Sequence, residues 1–309
     1  MLTSGERIFQ YFCGFPEAVN QINQNNSQLS RLEENALKTV QELNEIARKV
    51  RIDALKGIHA AGAGHPGGSL SVTDILVSLY FNVMNVDPAE PKMEGRDRLV
   101  LSKGHAAPAL YSTLAHRGYF DPAEMLTLRK LGSRLQGHPS MELLPGVEMS
   151  TGSLGQGFSV AVGMAIADKI DGKDRRTFVV TGDGELQEGL IWEAALSAAK
   201  HKLGNLIAVV DWNNLQIDGC VDVVKKVAPI DDKFAAFGWE TFVVDGHDMQ
   251  ALLDAYDKAM AVEDKPVCIV AKTVKGKGVS FMENQAGWHG KAPNDEQLAA
   301  AIEELGGDK

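Results

Sequence analysis

The sequence predicts an α/β fold: a parallel β-sheet with helices on both faces. Three observations carry that expectation. Short segments that are apolar throughout, such as "LIAVVD" at 206–211 and "VCIVA" at 267–271, alternate with longer segments of helical spacing. A strand without a polar side is covered on both faces, the usual situation in a parallel sheet. Gly is abundant at 31 residues while aromatic residues make up 6%, which suits many close-approach turns better than an all-β core. The chain has 309 residues, 44% hydrophobic and 23% charged, enough to bury a full core without staples.

Taken in order, residues 1–30 read as an N-terminal extension. It ends in "NQINQNNSQLS" at 20–30, almost wholly amide and hydroxyl side chains and therefore a polar linker. Residues 31–309 read as one domain. Leu32, Leu37, Val40, Leu43, Ala47, Val50, Ala54 and Ile58 follow a three-to-four spacing, so a long amphipathic helix is expected from Leu32 to about Ala61. Gly-rich "AGAGHPGGS" follows, then a helix from about Ser71, a strand at "DRLVLS", and "KGH" leading into another helix. In "DPAE" Asp121 precedes a Pro at the first helical position, a strong start signal. "TGSLGQG" opens a small-residue helix over 155–169. Strands at 177–181, 206–211, 240–245 and 267–273 then alternate with helices at 186–201, 231–237 and 248–261, and a last helix lies in "NDEQLAAAIEELGGDK".

The formal net charge of −10, with no Lys/Arg run, argues against a nucleic-acid partner while leaving room for a local basic pocket around a phosphate. Cys13, Cys220 and Cys268 lie far apart, which argues against a disulfide framework or a zinc site and for a reducing cytosol. The first residues make no convincing signal peptide and no apolar run is long enough to cross a bilayer, so a cytoplasmic protein without a membrane partner is expected.

In parallel sheets ligands bind at the carboxyl ends of the strands. The loops there are "TGDGE", "DWNNLQ", "DGHD" and "KTVKGKG", and the polar chemistry of the sequence collects in them. Gly182-Asp183-Gly184 alone is an ordinary turn. A calcium loop beginning at Asp183 fails, because Glu188 stands where Gly is needed and Ala194 closes the loop. A dinucleotide fingerprint fails at Gln187. Asn213, thirty positions on and just past the next strand, supplies a second anchor. Adjacent parallel strands would bring Asp183 and Asn213 together. A carboxylate, an amide oxygen and a nearby backbone carbonyl make half a shell of hard oxygens for Mg²⁺, with phosphate and water completing it. Gly184 would let the backbone approach a phosphate, which the following helix N-terminus also favours.

Of the eight histidines, His65, His105 and His138 sit in Gly-His-Pro or Gly-His-Ala turns, and His289 also lies in a loop next to Gly. That placement marks these four as functional. His247 in "DGHD" reads as loop punctuation before a helix capped by Asp248, and His59, His116 and His201 fall on predicted helices as structural residues. Lys275 follows a buried strand at the same sheet edge, which favours an anion-binding role.

"GHPGGS", "LSKGHAAPALYS", "LQGHPS", "TGSLGQG", "GDGELQEGLIWEA", "FGW", "VDGHD", "AKTVKGKG" and "WHGKAP" occur in the order seen in transketolases. The chain resembles the N-terminal, thiamine diphosphate-binding part of that family from about residue 35 to 300. The resemblance implies thiamine diphosphate and Mg²⁺ as cofactors, with Ca²⁺ or Mn²⁺ as substitutes for the ion. It implies Asp183, Asn213 and the backbone oxygen of Leu215 as metal ligands. Ser153, Leu154, Gly155, Gly184 and Gln216 would line the cofactor, with His105 against the diphosphate and Lys275 balancing its charge. His65 and His289 would bracket the substrate carbonyl and hydroxyls, with His138 beside them and His289 also touching the cofactor. Many relatives read Ser-Gly-His-Pro where this chain has Ala63-Gly64-His65-Pro66, so any contact from that Ser is absent. The half of a whole transketolase that carries the Glu activating the aminopyrimidine ring is not in this sequence. The resemblance therefore implies one chain of a split enzyme, inactive alone, paired with a C-terminal transketolase subunit in an α2β2 assembly. With sugar phosphates as substrates it would transfer a two-carbon ketol unit, as in the pentose phosphate pathway. The alternatives are a subunit of another thiamine diphosphate enzyme, whether a transketolase for an unusual sugar phosphate or a 2-oxoacid dehydrogenase α-type chain, and a non-catalytic cofactor-binding regulator.

Overall fold

A computed structural model of the chain describes residues 37–307. The expected extension over 1–30, and the start of the long helix expected at Leu32, lie outside them. Five strands form one parallel sheet: β1 (Arg98–Leu101), β2 (Thr177–Gly182), β3 (Leu206–Trp212), β6 (Glu240–Asp245) and β7 (Val267–Lys272), in the order β1-β2-β3-β7-β6. A small hairpin, β4 (Leu215–Gln216) and β5 (Gly219–Cys220), follows β3.

The alternation of side chains along each strand divides the core in two. Leu99, Leu101, Phe178, Val180, Ile207, Val209 and Ile269 face one way. They pack on helices α2 (Pro66–Ser78), α3 (Ala107–Arg117) and α8 (Met249–Met260) through Val72, Leu76, Leu110, Leu114, Leu252 and Tyr256. Val100, Val179, Ala208, Val210, Cys268 and Val270 face the other way. They pack on α4 (Gln156–Ile170), α5 (Gly189–Lys200) and α7 (Ile230–Ala236) through Phe158, Ala161, Ala195, Ala198 and Phe234. The short helix α6 (Val221–Lys225) continues from the hairpin and adds Val221 to this second core. A strand apolar on both sides is what this double cover requires.

Two helix starts differ from the expectation. Helix α1 (Val40–Ala61) begins at Val40, because Thr39 and Glu42 close a capping box that satisfies the free N–H groups there. Leu37 therefore stands outside the helix and is exposed. Helix α2 begins at Pro66, five residues before the expected start, with Pro at its first turn and every residue of it buried. Gly67 and Gly68, expected in a loop, lie inside it. A side chain at Gly67 would meet the stem of Lys275 and the Trp288 carbonyl at 3.0 Å, so Gly relieves a tight crossing of these segments. The "DPAE" start signal is met by a 3₁₀ turn, Pro122–Thr127, with the Asp121 side chain accepting from the Ala123 N–H. The segment expected as one helix over 186–201 is a 3₁₀ turn, Gly184–Gln187, followed by α5. The last helix is α9 (Asp295–Glu304), with a second capping box between Asn294 and Gln297. Among the described residues no helix is long and apolar enough to cross a membrane.

Candidate active site

The carboxyl ends of β1, β2, β3 and β7 open on one cleft of about 380 Å³, lined among others by His65, Lys103, His105, Asp183, Asn213, Leu215, Lys275 and His289. The register between β2 and β3 builds its floor. Gly182 pairs with Asp211, and the Asp183 N–H continues the ladder to the Asp211 carbonyl at 3.3 Å. Asp183 is 2% and Asn213 8% exposed. The Asp183 carboxylate accepts from the N–H of Gly184 at 2.8 Å and of Asn214 at 2.5 Å. Asn214 takes a left-handed φ of 57°, which Asn tolerates better than most residues and which turns the chain back after β3. The Asn213 Oδ1 accepts from the Leu215 N–H at 3.1 Å, and the Leu215 carbonyl accepts from Lys275 Nζ at 3.0 Å.

Beneath this floor lies a buried ion pair that sequence reasoning does not find. Lys103, 2% exposed, donates to Asp211 at 2.5 Å and to the Gly68 carbonyl at 3.3 Å. Asp211 also accepts from the hydroxyls of Ser71, at 2.6 Å, and Thr273. Burial works against the Asp211 charge, but Lys103 and these hydroxyls hold the carboxyl below its usual range. Asp183 has no such cation against it: burial, reinforced by the Asp211 charge, pushes it up to about 6. Glu185 is a second residue beyond the sequence expectation. It accepts from Ser102 Oγ at 2.5 Å, Thr181 Oγ1 at 2.6 Å, and the N–H groups of Gly155 and Gly182 at 2.8 and 3.1 Å, and so ties the "TGSLGQG" turn to the end of β2. An acid ending an apolar strand, as Asp211 does in "LIAVVD", and a Lys in "SKGH" are the signals the sequence offers for the ion pair.

Four imidazoles stand over the floor. Ring centroids are 5.3 Å apart for His65 and His105, 5.4 Å for His65 and His289, 5.1 Å for His105 and His289, and 6.0 Å for His65 and His138. His65 caps α2 and His105 lies in the turn Gly104–Ala106 before α3. Gly68 leaves the room for it, since a Cβ there would stand 3.2 Å from His105 Nε2. His138 lies at the rim, exposed, its ring against Gly152. Burial lowers His65 to about 4 and His289 to about 3, helped by Arg129 and His138 at the first and by Lys275 at the second. Burial and Lys103 hold His105 well below its usual value, and burial and Arg129 lower His138. Lys275, 2% exposed, is lowered to about 8 by burial and then by Lys103, with Asp183 and Asp211 opposing.

The remaining expected residues divide. Leu154, Gly184 and Gln216 line the cleft. Gln216 accepts from Gln187 Nε2 at 2.6 Å, and a Cβ at Gly184 would approach it to 3.3 Å. Gly155 is buried behind the wall with its N–H given to Glu185, and Ser153 is exposed. His59 pairs with Asp295 and His116 with Asp53, each at 2.8 Å, in the structural roles expected of them. His247 does more than punctuate a loop: Nδ1 lies 2.6 Å from Asp74 Oδ2, and Nε2 accepts from the Val274 N–H at 2.8 Å.

The donor set suits a diphosphate with a divalent ion. The Lys275 ammonium stands beside this floor of oxygens, with the Lys103–Asp211 pair beneath it, and above it the buried Nδ1 of His65 has no hydrogen-bond partner, so a polar ligand atom is wanted there as well. Among the described residues no group of three or more His, Cys, Asp or Glu side chains is arranged for a metal. An ion here would rest on one carboxylate, one amide oxygen, one backbone oxygen and the oxygens of the ligand itself.

Residues 42–309 match the family model described as transketolase, thiamine diphosphate binding domain. The chain belongs to the transketolase family. This transketolase chain is 44% identical over 265 residues to the 6-deoxy-6-sulfo-D-fructose transketolase subunit of Clostridium sp. (strain MSTE9), covering 85% of this chain and 96% of that one. It is 42% identical over 266 residues to an apulose-4-phosphate transketolase subunit of Phocaeicola vulgatus, covering 86% and 94%. Among solved structures, the transketolase of Campylobacter jejuni superposes with a TM-score of 0.83 at 36% identity, over 88% of this chain and 44% of that one. A transketolase mutant from Pichia stipitis gives 0.82 at 33%, over 88% and 41%. The chain thus spans less than half of those solved transketolases and nearly all of the two relatives named as subunits.

Proposed function

We propose that the chain is the diphosphate-binding subunit of a two-chain transketolase, transferring a two-carbon ketol unit from a ketose phosphate to an aldose phosphate. The observation that carries the reading is the cluster of four imidazoles over an Asp183–Asn213–Leu215 floor backed by two buried lysines. Thiamine diphosphate supplies a stabilised carbanion equivalent when bound. The rest falls to the chain. Asp183, Asn213 and the Leu215 carbonyl hold Mg²⁺; the carbonyl has two lone pairs and serves Lys275 as well. Lys275 and His105 bind the diphosphate, and Leu154, Gly184 and Gln216 line its path, with Ser153 and Gly155 shaping the turn beside it. His65, His289 and His138 meet the sugar. As neutral imidazoles each offers one donor and one acceptor, so they orient hydroxyls and exchange protons with them. The active assembly needs a partner chain carrying the C-terminal half, in an α2β2 arrangement in the cytoplasm.

A second reading is favoured by the two nearly full-length relatives. They are named for 6-deoxy-6-sulfo-D-fructose, a sulfonated sugar, and for apulose-4-phosphate, so the substrate of this chain can be an unusual sugar phosphate, or a sugar whose anionic group is a sulfonate, outside the pentose phosphate pathway. The test is ketol transfer by the complex of this chain with its partner subunit, in Mg²⁺ and thiamine diphosphate. The donors offered are xylulose 5-phosphate, 6-deoxy-6-sulfo-D-fructose and apulose 4-phosphate. Transfer from the first alone supports the common pathway, a clear preference for another supports the second reading, and no transfer from any ketose sinks both.

A further inference from the structure

The loop that carries Lys275 is fixed from behind by a line of polar groups outside the cleft, two of them buried and the third, His247, half-buried. Arg51 of α1 makes a bidentate pair with Asp74 of α2, at 3.0 and 2.6 Å, and both are buried. The second oxygen of Asp74 meets His247 Nδ1 at 2.6 Å. His247 Nε2 accepts the N–H of Val274 at 2.8 Å, the residue before Lys275. Accepting at Nε2 requires that nitrogen to be unprotonated, so Nδ1 carries the ring proton and donates it to Asp74. On its other side the loop is held by the Gly276 N–H, which donates to the Gly67 carbonyl at 3.0 Å. The Lys275 stem runs over Gly67, and its ammonium reaches the Leu215 carbonyl and His289 Nδ1, both at 3.0 Å. A loop that must deliver a lysine to one point costs backbone conformational entropy at binding unless it is already held.

We infer that His247, oriented by Asp74 and Arg51, is a positioning residue for the diphosphate: it fixes the Val274 peptide so that Lys275 is already aimed into the cleft before the ligand arrives. The inference rests on the proposed function for the identity of the ligand. His247 touches none of the reacting atoms and acts only through Lys275.

Two near-isosteres separate the two hydrogen bonds of the ring. An Asn amide nitrogen falls near the place of Nδ1 and keeps the donation to Asp74 while losing the acceptor at Val274. A Gln side chain reaches the place of Nε2 and keeps the acceptor while losing Asp74. Binding of Mg²⁺–thiamine diphosphate, and of Mg²⁺ with inorganic pyrophosphate, is measured calorimetrically on the complex with the partner subunit. His247→Asn is expected to weaken both ligands about tenfold, the worth of one well-placed hydrogen bond, and His247→Gln less than about threefold. Adding His247→Asn to Lys275→Ala is expected to cost nothing further, because the pair acts as one unit. Asp74→Asn, which disturbs the line from its other end, is expected to show the same lack of additivity. Melting temperatures should fall by similar amounts in His247→Asn and His247→Gln, so a difference in affinity between them is not a folding difference. Equal affinities for the two variants, or full additivity with Lys275→Ala for either His247→Asn or Asp74→Asn, would overturn the inference. Failure of the unaltered complex to bind either ligand would instead overturn the functional reading on which it rests.

Discussion

Asp183 and Lys275 both line the cleft with displaced titrations, one near 6 and the other near 8. Binding an anion favours the protonated lysine, so affinity should fall as pH rises past about 8, where the empty protein must first take up a proton. Coordinating a cation favours the ionised carboxylate, so affinity should also fall as pH drops past about 6, where a proton must first be lost. Calorimetric titration of Mg²⁺–thiamine diphosphate across pH 5 to 9 should therefore give a maximum between these two values. Because the protein offers the ion a single carboxylate, Mg²⁺ alone should bind weakly, and Asp183→Ala should abolish the dependence of diphosphate binding on Mg²⁺. At the same scale, His65→Ala should leave cofactor affinity nearly intact and lower kcat by about 10²- to 10⁴-fold, the usual reach of a general acid–base group. A KM change without a kcat change would reassign His65 to substrate binding only.

At the scale of elements, Phe158 shows how a helix is set on the sheet. It is fully buried on α4 and its ring packs, tilted, with centroids 6.3 Å from Phe234 and 6.0 Å from Trp239, joining α4 to α7 and the start of β6. Phe158→Ala should cost about 3–5 kcal/mol, measured by denaturant unfolding. Asp211→Ala should cost a similar amount for a different reason, since it leaves the Lys103 ammonium buried and unpaired. The strands are legible in the sequence because apolar runs leave little choice of period, and β3, β6 and β7 fall within about a residue of expectation. The helix starts are less legible. The start of α2 turns on whether Gly67 and Gly68 continue a helix, and propensity speaks against them. The glycines are explained by the tight approach of Lys275 to Gly67, and that is a contact between residues about two hundred positions apart. The role of His247 is hidden for the same reason: its partners are Asp74 and Val274, and nothing within the "DGHD" loop points to either.

For the whole molecule, the four imidazoles converge although His65, His105, His138 and His289 come from four separate stretches of chain. The sequence can mark each by its Gly-flanked turn, and the resemblance can group them, but their spacing depends on strand order. The Glu that the family uses on the aminopyrimidine ring is expected from the partner chain. The isolated chain should therefore bind thiamine diphosphate more weakly than the complex and transfer no ketol unit. Addition of the partner should restore transfer in proportion to complex formed, as a coupled sugar phosphate assay would show.

The ladder between β2 and β3 has a consequence beyond stability. Asp183 and Asn213 meet because Gly182 stands opposite Asp211. A slip of one residue turns every side chain of a strand to the opposite face. The two residues therefore work like a vernier on the sheet, able to read a displacement of a single residue. Inserting one residue within 206–211 should erase Mg²⁺-dependent binding even in a protein that still folds. The same insertion within 172–174, exposed and ahead of the ladder, should be absorbed.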